Sequence, residues 1–145
     1  VTGAEATFWA AFLASGSAPP DAAARYHSSF GVGSGSDEGA ALILSGRKTA
    51  TSALPADFGD RGPPRPGDLS ILLAGGGRPV AVVETLSMAP TTLAGMDADF
   101  AAAYAEWPDL ESCRAGMLGW YTGADPTFTD RSTLLAERLR VVWVP

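Results

Sequence analysis

The only lysine of the chain, Lys48, lies in its densest motif, Gly46-Arg47-Lys48-Thr49-Ala50-Thr51, although ten residues are basic. Arginine stays charged in proteins, whereas a lysine gives up its proton when it is buried or set beside another cation such as Arg47. Lys48 is therefore the basic side chain that could move a proton or attack a substrate. Hydroxyls follow at once in Thr49, Thr51 and Ser52. A carboxylate, Glu84, stands in the row Val80, Val82, Leu86 of a later segment, and a carboxyl among apolar neighbours has a raised pKa unless it is paired. Each residue also has an ordinary reading. Most lysines are solvated, threonines favour half-buried strands, and Glu84 could sit at a strand's wet end.

Other constellations are absent. One histidine, His27, and one cysteine, Cys113, give no zinc-type ligand cluster, and the carboxylate spacings match no calcium loop. Gly31-Val32-Gly33-Ser34-Gly35-Ser36 lacks the third glycine of a dinucleotide fingerprint, and neither a P-loop nor a nucleophile-elbow serine occurs. No metal and no cofactor is expected. His27 is expected to be exposed and without a triad partner, and Cys113 to pack as a small apolar residue. Trp107, Trp120 and Tyr121 could stack a base, although aromatic side chains at such spacings more often fill a core.

The net charge of −6 argues against a broad grip on a polyphosphate backbone, so a small ligand fits better than long RNA. A local positive rim is conceivable between Arg47 and Arg65, where Arg47, Lys48, Arg61 and Arg65 face Asp57 and Asp60. A lone cysteine excludes an intrachain disulfide and points to a reducing compartment, the cytoplasm. No apolar run is long enough to span a bilayer and no secretory leader is visible.

The elements that must position these residues can be read from periodicity and punctuation. Phe8, Trp9, Phe12 and Leu13 give a helix over Glu5 to Ala14. Ser28 to Ser36 reads as a Gly/Ser loop, after which Ser36 or Asp37 caps a short helix through Leu44, stopped by Gly46. Thr49 to Leu54 reads as a strand, and Pro55 to Pro66, with four of the eleven prolines, as an exposed loop that could serve as a flap. Leu69–Leu73 and Pro79–Leu86 are strands joined through Gly75-Gly76-Gly77. Helices follow over Asp97 to Ala105 and Asp109 to Leu118, and Ala136 to Val144 closes the chain as a strand. At 145 residues, with 46% hydrophobic residues, one domain is expected. Lys48 and Thr51 would point to opposite faces of a regular strand, so their convergence requires Lys48 to precede the pleat.

Four blocks carry a family likeness. Phe30-Gly31, the run Ala41 to Thr51, Pro66-Gly67-Asp68-Leu69-Ser70 and Pro79 to Thr85 resemble the successive motifs of ASCH-domain proteins. Glu137-Arg138-Leu139-Arg140-Val141-Val142 is similar to that family's last strand. The likeness runs from Phe30 to Val142, leaving residues 1–29 as an N-terminal helix and loop before a core of 30–145. It implies an α+β fold, a small mixed PUA-like β-barrel flanked by helices, with a cleft beside the barrel.

It also implies chemistry. Some family members hydrolyse the acetyl amide of acetylcytidine nucleosides with a lysine, a threonine three residues on and a glutamate on a later strand. Others are ribonucleases or non-catalytic RNA-binding modules. Carried over, the catalytic residues are Lys48, Thr51 and Glu84, and the substrate contacts Arg47, Thr49 and Arg114. Either Thr51 attacks, activated by Lys48, or water attacks with Glu84 as base and Lys48 facing the oxyanion. The stretch Glu106-Trp107-Pro108-Asp109, Cys113-Arg114, Met117 departs from the family's usual glycine-rich acidic turn and histidine.

Overall fold

The computed structural model describes residues 2–33 and 35–145; Val1, and Ser34 of the expected Gly/Ser loop, lie outside the described residues. Five strands form one sheet in the order β1-β3-β4-β5-β2. They are β1 (Tyr26–Phe30), β2 (Ala50–Ala53), β3 (Leu69–Ala74), β4 (Arg78–Thr91) and β5 (Leu134–Trp143). Helices α1 (Gly3–Ala14), α2 (Asp37–Leu44), α3 (Ala98–Tyr104) and α4 (Leu110–Ala124) flank it. The α+β class holds, but the sheet does not close into the expected barrel. β1 pairs only with β3, in parallel, and β2 only with β5, so both remain edges.

Three local expectations change. Tyr26 to Phe30 is a strand where a loop was expected from Ser28, because β3 offers it a parallel partner that the serines do not announce. β4 continues past Leu86 to Thr91 and stays paired with β5 through Pro90, which lacks a donor. α4 continues through Gly119 and Gly123 to Ala124. The helix starts are capped: Ser36 Oγ, expected as a cap, accepts from Gly39 N, and Asp97 accepts from Phe100 N and Asp109 from Ser112 N.

The pairing register sorts side chains onto two faces, since cross-strand partners share a face. On the inner face lie Ser70 opposite Val83, Leu72 opposite Ala81, Thr85 opposite Leu139, and Thr51 opposite Glu137. Ile43 and Ala40 of α2 plug one end of this face against Leu72, Val83 and Leu139. On the outer face Phe12 of α1, fully buried, packs with Leu69 and Val82 and against the ring of Trp143. Burying a side chain of that size contributes about 1.5–3 kcal/mol. The β2–β5 edge is covered by Phe100, Tyr104, Cys113 and Met117 of α3 and α4, which cluster with Ala50 and Leu134.

α1 is tied to β1 by chemistry as well as packing. Thr2 and Glu5 form a capping box, and the buried Glu5 carboxylate also accepts the Ser29 hydroxyl. No helix among the described residues is long and apolar enough to cross a membrane.

Candidate active site

Because the sheet stays open, its two edges face a common space. A cavity of about 710 Å³ is lined by residues of both edge strands, by Phe58 and Pro64 of the proline-rich connection, and by α4. That volume lies in the range of small-molecule sites. Its walls are aromatic, with Phe58, Tyr104, Trp107, Trp120 and Tyr121 among the lining residues.

The reactive groups on the inner face come from three neighbouring strands. Thr51 on β2 and Met88 on β4 are the two cross-strand partners of Glu137 on β5. All three line the cavity. Partners of this kind hold their Cβ atoms about 4.5–5.5 Å apart, so Thr51 and Glu137 are neighbours on this face, although no hydrogen bond joins their side chains among the described residues. Glu137 is 9% exposed, and Thr85 donates to its Oε2 at 2.6 Å. The register shift between Thr85 and Ser87 allows Thr85 and Met88 to lie on the same face, so the bulge builds this corner. Burial pushes the Glu137 carboxyl above its ordinary pKa, against the lowering effect of the Thr85 hydrogen bond.

Lys48 sits before the pleat, as convergence demanded. Gly46, at φ 80, ends the turn after α2, and the first paired residue of β2 is Ala50. Its side chain nevertheless runs to α3 and not to Thr51. Lys48 Nζ, on a residue 1% exposed, donates to Tyr104 O at 3.0 Å and Glu106 Oε2 at 2.7 Å, and lies 3.4 Å from the centre of the Tyr104 ring. Those bonds bracket Ala105, which closes α3 in the left-handed region at φ 62. Burial lowers the Lys48 pKa, and the Glu106 hydrogen bond opposes the shift. Glu106 lines the cavity and Lys48 does not, so the lysine acts on the site by holding Glu106 and Tyr104.

A second cluster joins β2 to the helices. Ser52 Oγ lies 2.6 Å from Tyr121 Oη and 3.2 Å from Tyr104 Oη, and all three residues line the cavity. Burial raises both tyrosine pKa values, so the phenols remain protonated donors. Trp107 stacks on Tyr104 with ring centres 5.8 Å apart and lies against Gly116, where a Cβ would come within 2.3 Å of the indole. Only glycine at that point of α4 leaves the tryptophan its place in the wall.

The other sequence-based candidates fall elsewhere. Glu84 lies on the outer face, opposite Leu69, and is absent from the cavity wall. Its Oε2 accepts from Arg25 at 2.9 Å and its Oε1 from Arg140 Nε at 2.9 Å. The expected grouping of Lys48, Thr51 and Glu84 therefore does not assemble, because one residue of strand register separates Glu84 from the inward-facing Thr85. Arg47 and Thr49 are exposed and absent from the wall, and Thr49 spends its backbone on Ala103 and Leu139. Arg114 turns away, donating to Ala94 O and Met96 O. We expect Glu84→Gln to lower stability by about 1–2 kcal/mol, read as an earlier thermal melt, because it weakens two charge-assisted bonds to arginine.

His27 also differs from expectation. It is 7% exposed, and its Nε2 lies 3.0 Å from Gly62 O. A carbonyl only accepts, so Nε2 carries the proton, and in the neutral ring Nδ1 accepts from Ser28 Oγ at 2.8 Å. Arg61 adds a bond to Tyr26 O, so two hydrogen bonds join the proline-rich connection to β1. Cys113 packs as expected, fully buried beside Met117, and burial raises its thiol pKa. Among the described residues no group of three or more His, Cys, Asp or Glu could hold a metal ion.

Residues 27–142, four-fifths of the chain, match the family model for the ASCH domain. The chain belongs to the ASCH-domain family. An ASCH domain from Lactobacillus crispatus superposes with a TM-score of 0.82 at 21% identity, over 98% of this chain and 96% of that one. Protein EF3133 from Enterococcus faecalis superposes with a TM-score of 0.70 at 22% identity, over 96% and 92%. At such identities the likeness shows the fold alone, and no curated protein matches the chain. In this ASCH domain, sequence reasoning gave no site role to Glu137, Glu106 or Tyr104, and counted Ser52 only among the hydroxyls that follow Lys48. The signal for Glu137 was present: Leu135, Glu137, Leu139 and Val141 alternate just as Val82 and Glu84 do, a carboxylate in an apolar row.

Proposed function

We propose that this ASCH domain binds a nucleoside-like ligand in its cavity and hydrolyses an amide on the base, with Thr51 as nucleophile and Glu137 as the proton carrier. One observation carries the reading: a hydroxyl and a buried carboxylate are cross-strand partners in a cavity with aromatic walls. Aromatic faces suit a flat base, and the family likeness supplies the class of amide.

The chemistry balances on these two groups. Glu137 takes the Thr51 proton as Oγ attacks the amide carbonyl, and returns it to the amine as the carbon–nitrogen bond breaks. An ester on Thr51 remains; Glu137 takes a proton from the attacking water and returns it to Thr51 Oγ as the carbon–oxygen bond breaks, which releases the free acid. A proton carrier works best with a pKa nearer the operating pH than a free carboxyl offers, which is the direction in which burial moves Glu137. The hydroxyls of Ser52 and Tyr121 are the nearby donors for the oxyanion. Lys48, Glu106 and Tyr104 position that wall, and Lys48 has no part in the attack.

Turnover of N-acylated nucleosides by the purified chain, followed by release of the free amine, tests the reading. Wild-type protein should turn over at least one member of the series, and Thr51→Val should lower kcat by about a hundredfold or more. Absence of turnover on every acyl nucleoside would defeat the hydrolase reading. Full activity in Thr51→Val would instead make water the nucleophile.

A further inference from the structure

The proposed reading leaves open whether the ligand is a free nucleoside, a nucleotide or a strand of RNA, and the charge of the cavity bears on that choice. The wall holds three carboxylic residues, Asp57, Glu106 and Glu137, with one histidine, His27, and two tyrosines, Tyr104 and Tyr121. Of the ten basic residues of the chain, none lines it. Lys48 is buried, and its ammonium is held by Glu106 and the Tyr104 carbonyl. Arg25 and Arg140 serve Glu84 on the opposite face of the sheet, Arg61 serves a backbone carbonyl and Arg114 turns to Ala94 and Met96.

The helix N-terminus nearest the cavity does not favour a phosphate either. The glycine-rich wall segment Gly31–Gly33 leads towards α2, but the N-terminus of that helix is already capped by Ser36 and carries Asp37 and Glu38 in its first turn. The first turn thus carries negative charge of its own, with Asp37 Oδ1 accepting from Gly75 N and Arg78. What the wall does offer is acceptors. Glu137 Oε1 takes no hydrogen bond from any described residue, although the residue is nine-tenths buried and faces the cavity. On the cavity side this oxygen is an acceptor free to take an N–H or O–H of a ligand.

We infer that this cavity selects against negative charge: its ligand is a flat heterocycle that is neutral or cationic and carries no phosphate, so a free nucleoside enters and a nucleotide or RNA strand does not. The nucleoside identity rests on the reading above. The charge rule does not, because it follows from the lining residues whatever ring they hold. It runs against the family's association with RNA, which would call for cations along a groove.

Two probe series, recorded on the full chain by the indole N–H signals of Trp107 and Trp120, test the inference. The first holds the ring nearly constant and changes its charge: 1-methylnicotinamide, nicotinamide and nicotinate. The second compares an N-acylated nucleoside with its 5′-monophosphate. The cation and the neutral ring should bind more tightly than nicotinate, and the 5′-phosphate should weaken binding by at least about tenfold at low ionic strength. Added salt should narrow both gaps, as should Asp57→Asn, which keeps an oxygen for the Leu54 N–H that Asp57 now accepts. Nicotinate or the monophosphate binding as tightly as its uncharged counterpart would overturn the inference, and so would an absence of saturable binding in both series. The expected ranking in the ring series without any nucleoside binding would uphold the charge rule and defeat the proposed function alone.

Discussion

Lys48→Met should destabilise the fold by about 2–3 kcal/mol, seen as a melting temperature lower by roughly 6–10 °C. Methionine keeps the volume of the buried stem but removes the charge that Glu106 and the Tyr104 carbonyl share. Breaking a buried pair from one side costs about 3–5 kcal/mol when the remaining charge stays buried. Glu106 is 29% exposed, so water recovers part of that loss and the lower figure follows. The rest falls on Ala105, whose left-handed backbone the lysine brackets and which by itself costs on the order of 1–2 kcal/mol. A double variant, Lys48→Met with Glu106→Gln, should recover part of the loss, because an unpaired amide is cheaper to leave than an unpaired carboxylate. Equal melting of wild type and Lys48→Met would remove the lysine from its structural role.

Glu137→Gln should give the opposite pairing of effects, raising stability at neutral pH while lowering turnover by about a hundredfold or more. The sign follows from the raised pKa. Between the ordinary carboxyl value of 4.5 and the higher folded value, the native state binds more protons than the unfolded chain, so stability falls as pH rises through that window. Above it the full cost of a buried carboxylate is present. Glutamine never pays that cost, and its amide oxygen still accepts from Thr85. The variant should therefore melt higher than wild type at pH 7.5, and the advantage should vanish near pH 4, where both states of the wild type hold the proton. Melts of the two proteins at both pH values check this, and a variant less stable at pH 7.5 would contradict it.

Much of the scaffold was legible from the sequence because its signals are local. Ser36, Asp97 and Asp109 announce helix starts by their own side chains, and Gly75-Gly76-Gly77 marks its hairpin. What escaped was set by partners distant in sequence. β1 is a strand because β3 lies beside it, and the barrel stays open because, among the described residues, no pairing joins β1 to β2. The site divides in the same way. Thr51 reaches the cavity wall, whereas the choice between Glu84 and Glu137 depends on which strand face turns inward, and alternation within one strand is the same for both. Register across β2, β4 and β5 decides it, together with a bulge at Thr85 that no residue type declares. The lone lysine drew attention for its chemistry and earns its place by holding Glu106 and the end of α3.

Turnover of one N-acylated nucleoside by Glu84→Gln and Glu137→Gln, measured side by side at a temperature where both are folded, tests the central claim most directly. Glu84→Gln should retain activity within about threefold of wild type, since its carboxylate serves two arginines on the far face of the sheet. Glu137→Gln should lose about a hundredfold or more, since Glu137 lines the cavity as the cross-strand partner of Thr51. Loss of activity in Glu84→Gln with Glu137→Gln intact would contradict the account.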